Sequence, residues 1–301
     1  MPIPSSLIDH PGQIPSQTGR RFVVTGATGG LGIELTRALA TAGADVVMAV
    51  RNTTAGEQAA ERVRRTGAPG RVEVRQLDVA DLASIHAFAG DLEQVDVLIN
   101  NAGIMGVPQG QTVDGFEMQI GTNHLGHFAL TNLVLPKLTD RVVLLGSHAH
   151  WSGRLDVDDL DHATRRYGGY PAYAQSKLAT LLFMGELQRR LTAAGSSVRA
   201  VGAHPGYTAT GITMHTGNGL FTSISRLGNL VAGMKPWRGA LPVLAAATLD
   251  IPGDTYLGPR AAGGFLGSPA PARRSRAASD TGLAADLWQR SASLTGVDFP
   301  L

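Results

Sequence analysis

The sequence predicts an α/β protein with a doubly wound parallel sheet of about seven strands, helices on both faces and one domain. Three observations predict it. Short β-branched runs alternate with helical stretches along most of the 301 residues. Those runs are almost continuously apolar, as strands buried on both faces require. The first run ends in a glycine-rich turn that opens a helix.

The elements follow in order. Residues 21–25 read as a buried strand, with a helix over 30–42 after the glycine turn. The next strand is 45–50, and a helix follows over 54–65. Strands at 72–77, 95–100, 141–146 and 198–203 continue the series. A long helix over 170–193 separates the last two, and a further short strand is expected at 255–257. Residues 207–236 are rich in Gly, Thr, Ser, Met and Phe; a loop of that length predicts a substrate lid. After Gly258 the chain turns Gly/Pro/Ala-rich, and an amphipathic helix is predicted over 281–294. No internal repeat or interdomain linker is visible. Residues 1–19 form an extended arm before a catalytic unit over 20–301.

Composition excludes several function classes. There are no cysteines, so disulfides, thiolate metal sites and cysteine nucleophiles are out. The net charge is +2, which gives no reason to expect nucleic acid. Arg273, Arg274 and Arg276 read as a solvated loop. No apolar run approaches the roughly 18 residues that span a bilayer. The first 17 residues hold four prolines and no apolar core, which does not resemble a secretory leader. The expectation is a cytoplasmic protein without a membrane or nucleic-acid partner.

Tyr173-Ala174-Gln175-Ser176-Lys177 carries the strongest chemical signal. On a helix, residues four apart share a face. A free phenol titrates near pH ~10, and bringing it to neutrality needs about 4 kcal/mol of differential interaction. A neighbouring cation, aided by a positively charged cofactor, can supply that. Only three of the 26 basic residues are lysines, Lys137, Lys177 and Lys235. One of them one turn from a tyrosine stands out, although the bare pattern also occurs on solvated helix faces.

The glycine turn, Thr25-Gly26-Ala27-Thr28-Gly29-Gly30-Leu31-Gly32, brings the backbone close to a pyrophosphate at a helix N-terminus. Its spacing is GxxxGxG. The second strand ends in Val50-Arg51, where an acid would hold ribose hydroxyls in a dinucleotide fold. An arginine there clamps a 2′-phosphate instead, so NADP(H) is expected over NAD(H).

With these residues in place, the chain from about Arg20 to Leu301 resembles the short-chain dehydrogenase/reductases, a family with a Rossmann-like fold. Asn100-Asn101-Ala102-Gly103 matches the NNAG motif after the fourth strand, and Asp78 with Val79 matches the pair beside adenine. Asn123 matches the helix asparagine that supports a water relay. Ser147 matches the catalytic serine at the end of the fifth strand. Tyr173 and Lys177 complete the tetrad, and Pro205-Gly206 with Thr208 and Thr210 matches the segment beside the nicotinamide. The resemblance implies cofactor contacts at Gly26, Thr28, Gly30, Leu31, Gly32, Arg51, Asp78, Val79, Asn101, Ala102, Gly103, Tyr173, Lys177, Pro205, Gly206, Thr208 and Thr210. It implies hydride transfer between nicotinamide C4 and a carbonyl carbon. In that scheme Tyr173 trades the proton, Ser147 orients the oxygen, Lys177 holds the ribose and lowers the tyrosine pKa, and Asn123 sustains proton supply.

Two features depart from the family pattern. Gly146 precedes the serine where a second serine is common. The interval from Ser147 to Tyr173 is long, and its extra residues, 151–169, resemble the retinol-dehydrogenase-like and protochlorophyllide-reductase-like branch, which often uses NADP(H). Ile104, Met105, His148, His150, Trp151, Tyr207, Met214, Phe221 and Met234 are candidate walls of an apolar pocket for a ketone, aldehyde or secondary alcohol. The rival reading for His148 and His150 is local hydrogen bonding. Their i, i+2 spacing has no third ligand, so no metal is expected. His124 and His127 read as packing residues. Two other functions share the motifs: a redox-neutral epimerase or lyase with tightly held NADP, and a non-catalytic NADP sensor. The helices bearing Asn123 and Tyr173 form subunit interfaces in many members, which implies a homodimer or homotetramer.

Overall fold

The protein is described from a computed structural model, which covers residues 7–206 and 235–301. Among these residues, one eight-stranded sheet runs in the order β3-β2-β1-β4-β5-β6-β7-β8. The strands are β1 Arg21–Thr25, β2 Asp45–Val50, β3 Val72–Gln76, β4 Val95–Asn100, β5 Leu138–Leu145, β6 Arg199–Ala203, β7 Tyr256–Ala261 and β8 Leu266–Pro271. The first seven are parallel; β8 returns antiparallel on β7. The chain steps outward from β1 to β3, then crosses back to β4. That reversal leaves a crevice at the carboxyl ends of β1 and β4.

The helices are α1 Gly30–Thr41, α2 Thr53–Arg64, α3 Leu82–Asp91, the single turn α4 Met118–Ile120, α5 Gly126–Val134, α6 Gly169–Ala193, α7 Pro236–Thr248 and α8 Thr281–Thr295. They bury two apolar layers. Phe22, Val24, Met48 and Ile99 face Leu35, Leu39 and Leu244 on one side of the sheet. Leu98, Val142 and Leu144 face Phe128, Leu182 and Trp288 on the other.

Helices α3 and α7 and strand β8 were not foreseen. Helix α7 carries Gly239 and Pro242, which lower helix propensity. It forms because every residue from Gly239 to Thr248 is buried against the sheet, and packing outweighs propensity. Strand β8 carries Pro269 and Pro271, which a sheet tolerates on an edge. Arg274 corrects the solvated-loop reading, because its guanidinium makes two bonds of 2.7 Å to the Asp254 carboxylate.

The N-terminal arm is pinned to the domain by buried Ile8, Pro11 and Ile14. The expected subunit-contact helices are covered within the chain. All of α5 except Leu133 is buried, and α8 lays Trp288 against both Phe128 and Phe183, at ring separations of 4.9 and 5.6 Å. The expected segment 207–236 lies outside the described residues except for its last two.

Candidate active site

The cofactor end is built by close backbone approach. Gly26 has φ +63°, and a Cβ on it would lie 2.9 Å from the Ala102 Cα. A Cβ on Gly32 would lie 2.5 Å from the Gly26 carbonyl oxygen. Any side chain at either position would fill the cradle. Gly29 caps α1 without a side-chain hydrogen bond, so the first amides, over Gly30, Leu31 and Gly32, are left for a ligand anion. Thr28 stands exposed in the same turn.

Thr25, at the end of β1, anchors the loop from β4. Its hydroxyl oxygen accepts the Asn101 and Ala102 amides, each at 2.9 Å. The Asn101 side-chain amide donates back to the Thr25 carbonyl at 2.7 Å. Gly103 follows, exposed, and a Cβ on it would meet the Asn123 Oδ1 at 3.1 Å. Asp78 spends one carboxylate oxygen on the Ala80 amide at 3.0 Å. A Cβ on Gly126 would strike the Val79 carbonyl oxygen, so only glycine lets α5 cross there. Arg51 is exposed at the end of β2, beside Asn52, which caps α2.

The catalytic candidates come from three elements. Ser147 follows β5, and its Oγ accepts the Ala149 amide at 3.2 Å. Tyr173 and Lys177 project from the first turns of α6, with the Lys177 Nζ 5.8 Å from the Tyr173 ring centre. Lys177 also donates to the Leu145 carbonyl at 2.9 Å, tying α6 to the end of β5. The Asn123 side chain is fully used: it accepts the Ile104 amide at 2.9 Å and donates to the Ile104 carbonyl and the Ser176 hydroxyl. Asn123 lies in a π turn, Gly121–Leu125, of the kind found at functional positions.

Electrostatics revises one expectation. Burial raises the Tyr173 pKa above its usual value, and the Ser147 side chain only partly opposes this. Burial also lowers Lys177 to about 8. The lysine alone therefore does not depress the phenol, because both groups lose hydration and desolvation favours their neutral forms. A second positive charge, such as that of an oxidised nicotinamide expected from the sequence, would favour the ionised phenol.

The residues flanking the tetrad divide into two groups. His150 is buried, with Nδ1 bonded to the Ser147 carbonyl at 2.6 Å and Nε2 accepting the Ser275 amide at 3.2 Å. It braces the end of β5 and has no free nitrogen for a pocket, which corrects its assignment as a pocket wall. His148 stacks on Phe265 at 4.4 Å and bonds the Gly263 carbonyl at 2.7 Å. Trp151 and Tyr170 are half exposed. Met105 packs on the group formed by Ala149, Tyr173 and Ala174. Gly206, with φ +69°, follows Pro205 and donates its amide to His204 Nδ1. Tyr207, Thr208, Thr210, Met214, Phe221 and Met234 lie outside the described residues.

A family model described as short chain dehydrogenase matches residues 20–219. The chain belongs to the short-chain dehydrogenase/reductase family. Retinol dehydrogenase 13 of Homo sapiens is 40% identical, over 96% of this chain and 89% of that protein. Polyprenol dehydrogenase of Mus musculus is 39% identical, over 95% and 87%. A crystal structure of an uncharacterized protein from Mycobacterium paratuberculosis shares 52% identity with a TM-score of 0.85, covering 97% of this chain and 99% of that one. The chain is thus an oxidoreductase of the retinol-dehydrogenase-like branch, acting on an alcohol or carbonyl.

Sequence reasoning on this dehydrogenase missed Phe265 and Tyr256. Phe265 reaches His148 through the β7–β8 hairpin, an element without a motif of its own. Tyr256 packs beneath Gly146, with a Cβ on that glycine falling 2.6 Å from the phenol oxygen. The missing second serine before Ser147 was the available clue.

Proposed function

We propose that this enzyme is an NADP(H)-dependent carbonyl reductase or alcohol dehydrogenase for a largely apolar, cyclic or aromatic small molecule. The observation that carries the reading is the convergence of Ser147, Tyr173 and Lys177 beside the glycine cradle of Gly26 and Gly32. When bound, the nicotinamide supplies or receives the hydride. Tyr173 gives its proton to the developing alkoxide in reduction and takes it back in oxidation. Ser147 hydrogen-bonds the same oxygen. Lys177 holds the ribose, and its charge adds to that of oxidised nicotinamide to bring the phenol down.

Arg51 supports NADP(H), since an exposed guanidinium at the end of β2 offers a fork for a 2′-phosphate. Met105, Trp151, Tyr170 and Phe265 near the tetrad support an apolar substrate, as do the names of the retinol and polyprenol relatives. The test pairs two variants over a panel of bulky cyclic and aromatic ketones. Tyr173→Phe should lower kcat by ~10²-fold or more while NADPH still binds. Arg51→Asp should erode the ratio of kcat/KM for NADPH over NADH. Near-normal turnover by Tyr173→Phe refutes the assigned acid, and an NADH preference in the unaltered enzyme refutes the cofactor assignment. Turnover without a net change in NADPH points to redox-neutral chemistry.

A further inference from the structure

His127 is a buried titratable residue that the mechanism above leaves without a task. It lies on α5, one turn beyond Asn123, and is 3% exposed. Its Nε2 is 3.1 Å from the Thr25 hydroxyl oxygen, and its Nδ1 is 3.3 Å from the Asn123 main-chain carbonyl. Thr25 already receives two amide N–H groups, from Asn101 and Ala102. A hydroxyl oxygen has two acceptor positions and one proton to give. The Thr25 proton is therefore free to point outward, and His127 Nε2 at 3.1 Å is closer than the Ile99 carbonyl at 3.4 Å. With Nε2 accepting, Nδ1 carries the ring proton and donates to the Asn123 carbonyl. The opposite tautomer would crowd a third donor onto Thr25 and leave two unprotonated acceptors facing each other at Asn123.

We propose that His127 is a positioning residue: as the Nδ1–H imidazole it joins the cofactor-binding loops, through Thr25, to the main chain of Asn123 beside Lys177. His127, Asn123 and Lys177 line one narrow internal void together with Leu145 and Thr180. The charged and titratable side chains facing His127 are Lys177 and His124. Burial holds the imidazole neutral, lowering its pKa to about 4, with Lys177 pushing the same way. A neutral ring can both give and accept, so the frame holds through physiological pH. The Thr180 hydroxyl is a weaker alternative donor to Asn123, at 3.5 Å, and already donates to the Ser176 carbonyl at 2.9 Å. His127 is thus the main side-chain brace on that carbonyl.

The role in turnover rests on the proposed function; the tautomer does not. Nitrogen-15 NMR of the histidine-labelled full chain at neutral pH should show an Nδ1–H ring at His127, assigned by its loss in His127→Gln. An Nε2–H ring overturns the proposal, whether or not a substrate is found. His127→Leu should lower kcat by ~10-fold or more and raise the KM for NADPH, since both loops lose their tie. His127→Gln, which keeps a donor and an acceptor, should recover most of both. Equal kcat per folded molecule in the Leu and Gln variants overturns the proposal. If His127→Leu does not fold, the tautomer and His127→Gln decide. An unaltered chain that binds NADPH but reduces no carbonyl refutes the functional reading and leaves the tautomer result intact.

Discussion

Gly146 has a phenol where a side chain would begin. A Cβ there would lie 2.6 Å from the Tyr256 oxygen and 2.9 Å from its Cε2. This explains the departure from the common serine pair before Ser147: the tyrosine of β7 fills the space. The Tyr256 oxygen is buried with no hydrogen-bond partner among the described residues, and burial raises its pKa. Gly146→Ser should cost about 1–3 kcal/mol, because the crowded ring and strand must shift. A fall in urea midpoint with an unchanged m-value would register that cost. An unchanged midpoint would show that Tyr256 moves aside freely. Activity should fall as well, since Ser147 is the next residue.

At the scale of elements, the segment 151–169 is a strap on α6. The Tyr167 hydroxyl meets Gln119 Nε2 at 3.0 Å, and the Glu117 carboxylate and the Val107 carbonyl each at 3.1 Å. Gln175, within the first turns of α6, donates to the Leu160 carbonyl at 2.9 Å. Asp159 accepts the Ala163 amide and the Thr164 hydroxyl, closing the segment on itself. Glu117 also accepts the amides of Gln119 and Ile120, so one buried carboxylate links α4 to the strap. Tyr167→Phe removes the hydroxyl and leaves these groups short of partners. It should cost about 1–3 kcal/mol, read as a lower thermal midpoint. No change would mean that the Tyr167 hydroxyl contributes nothing to holding the strap against α4.

Across the whole molecule, buried histidines contribute to the response to acid, His124, His127 and His204 most strongly. Burial lowers His124 and His204 to about 3 and His127 to about 4. In the unfolded chain each takes a proton near pH ~6.5. Between those values the unfolded state binds more protons, so stability falls as pH falls. Their contribution is complete above the unfolded value and is lost progressively toward pH 3 to 4. Thermal midpoints should therefore drop steadily from pH 7 to pH 4. A flat profile would show these rings gaining protons without unfolding. The packing of α8 over α5 and α6 acts on the same scale.

The sequence by itself showed the alternation of strands and helices, most clearly at β1, β2 and β4, because strands buried on both faces must be almost continuously apolar. It also determined the local chemistry of the Thr25 to Gly32 turn and of the Tyr173–Lys177 pair, where a few adjacent residues carry the whole signal. Only the tertiary structure decided what depends on distant neighbours. Helix α7 forms against its own glycine and proline because the sheet buries it. Strand β8 exists because β7 has a free edge to offer. His150 reaches the Ser275 amide, and His127 reaches the Thr25 hydroxyl, through hydrogen bonds between residues that no spacing rule relates. The ionisation of Tyr173 belongs here too: helical spacing sets its distance from Lys177, but desolvation by the surrounding fold decides which way the phenol shifts.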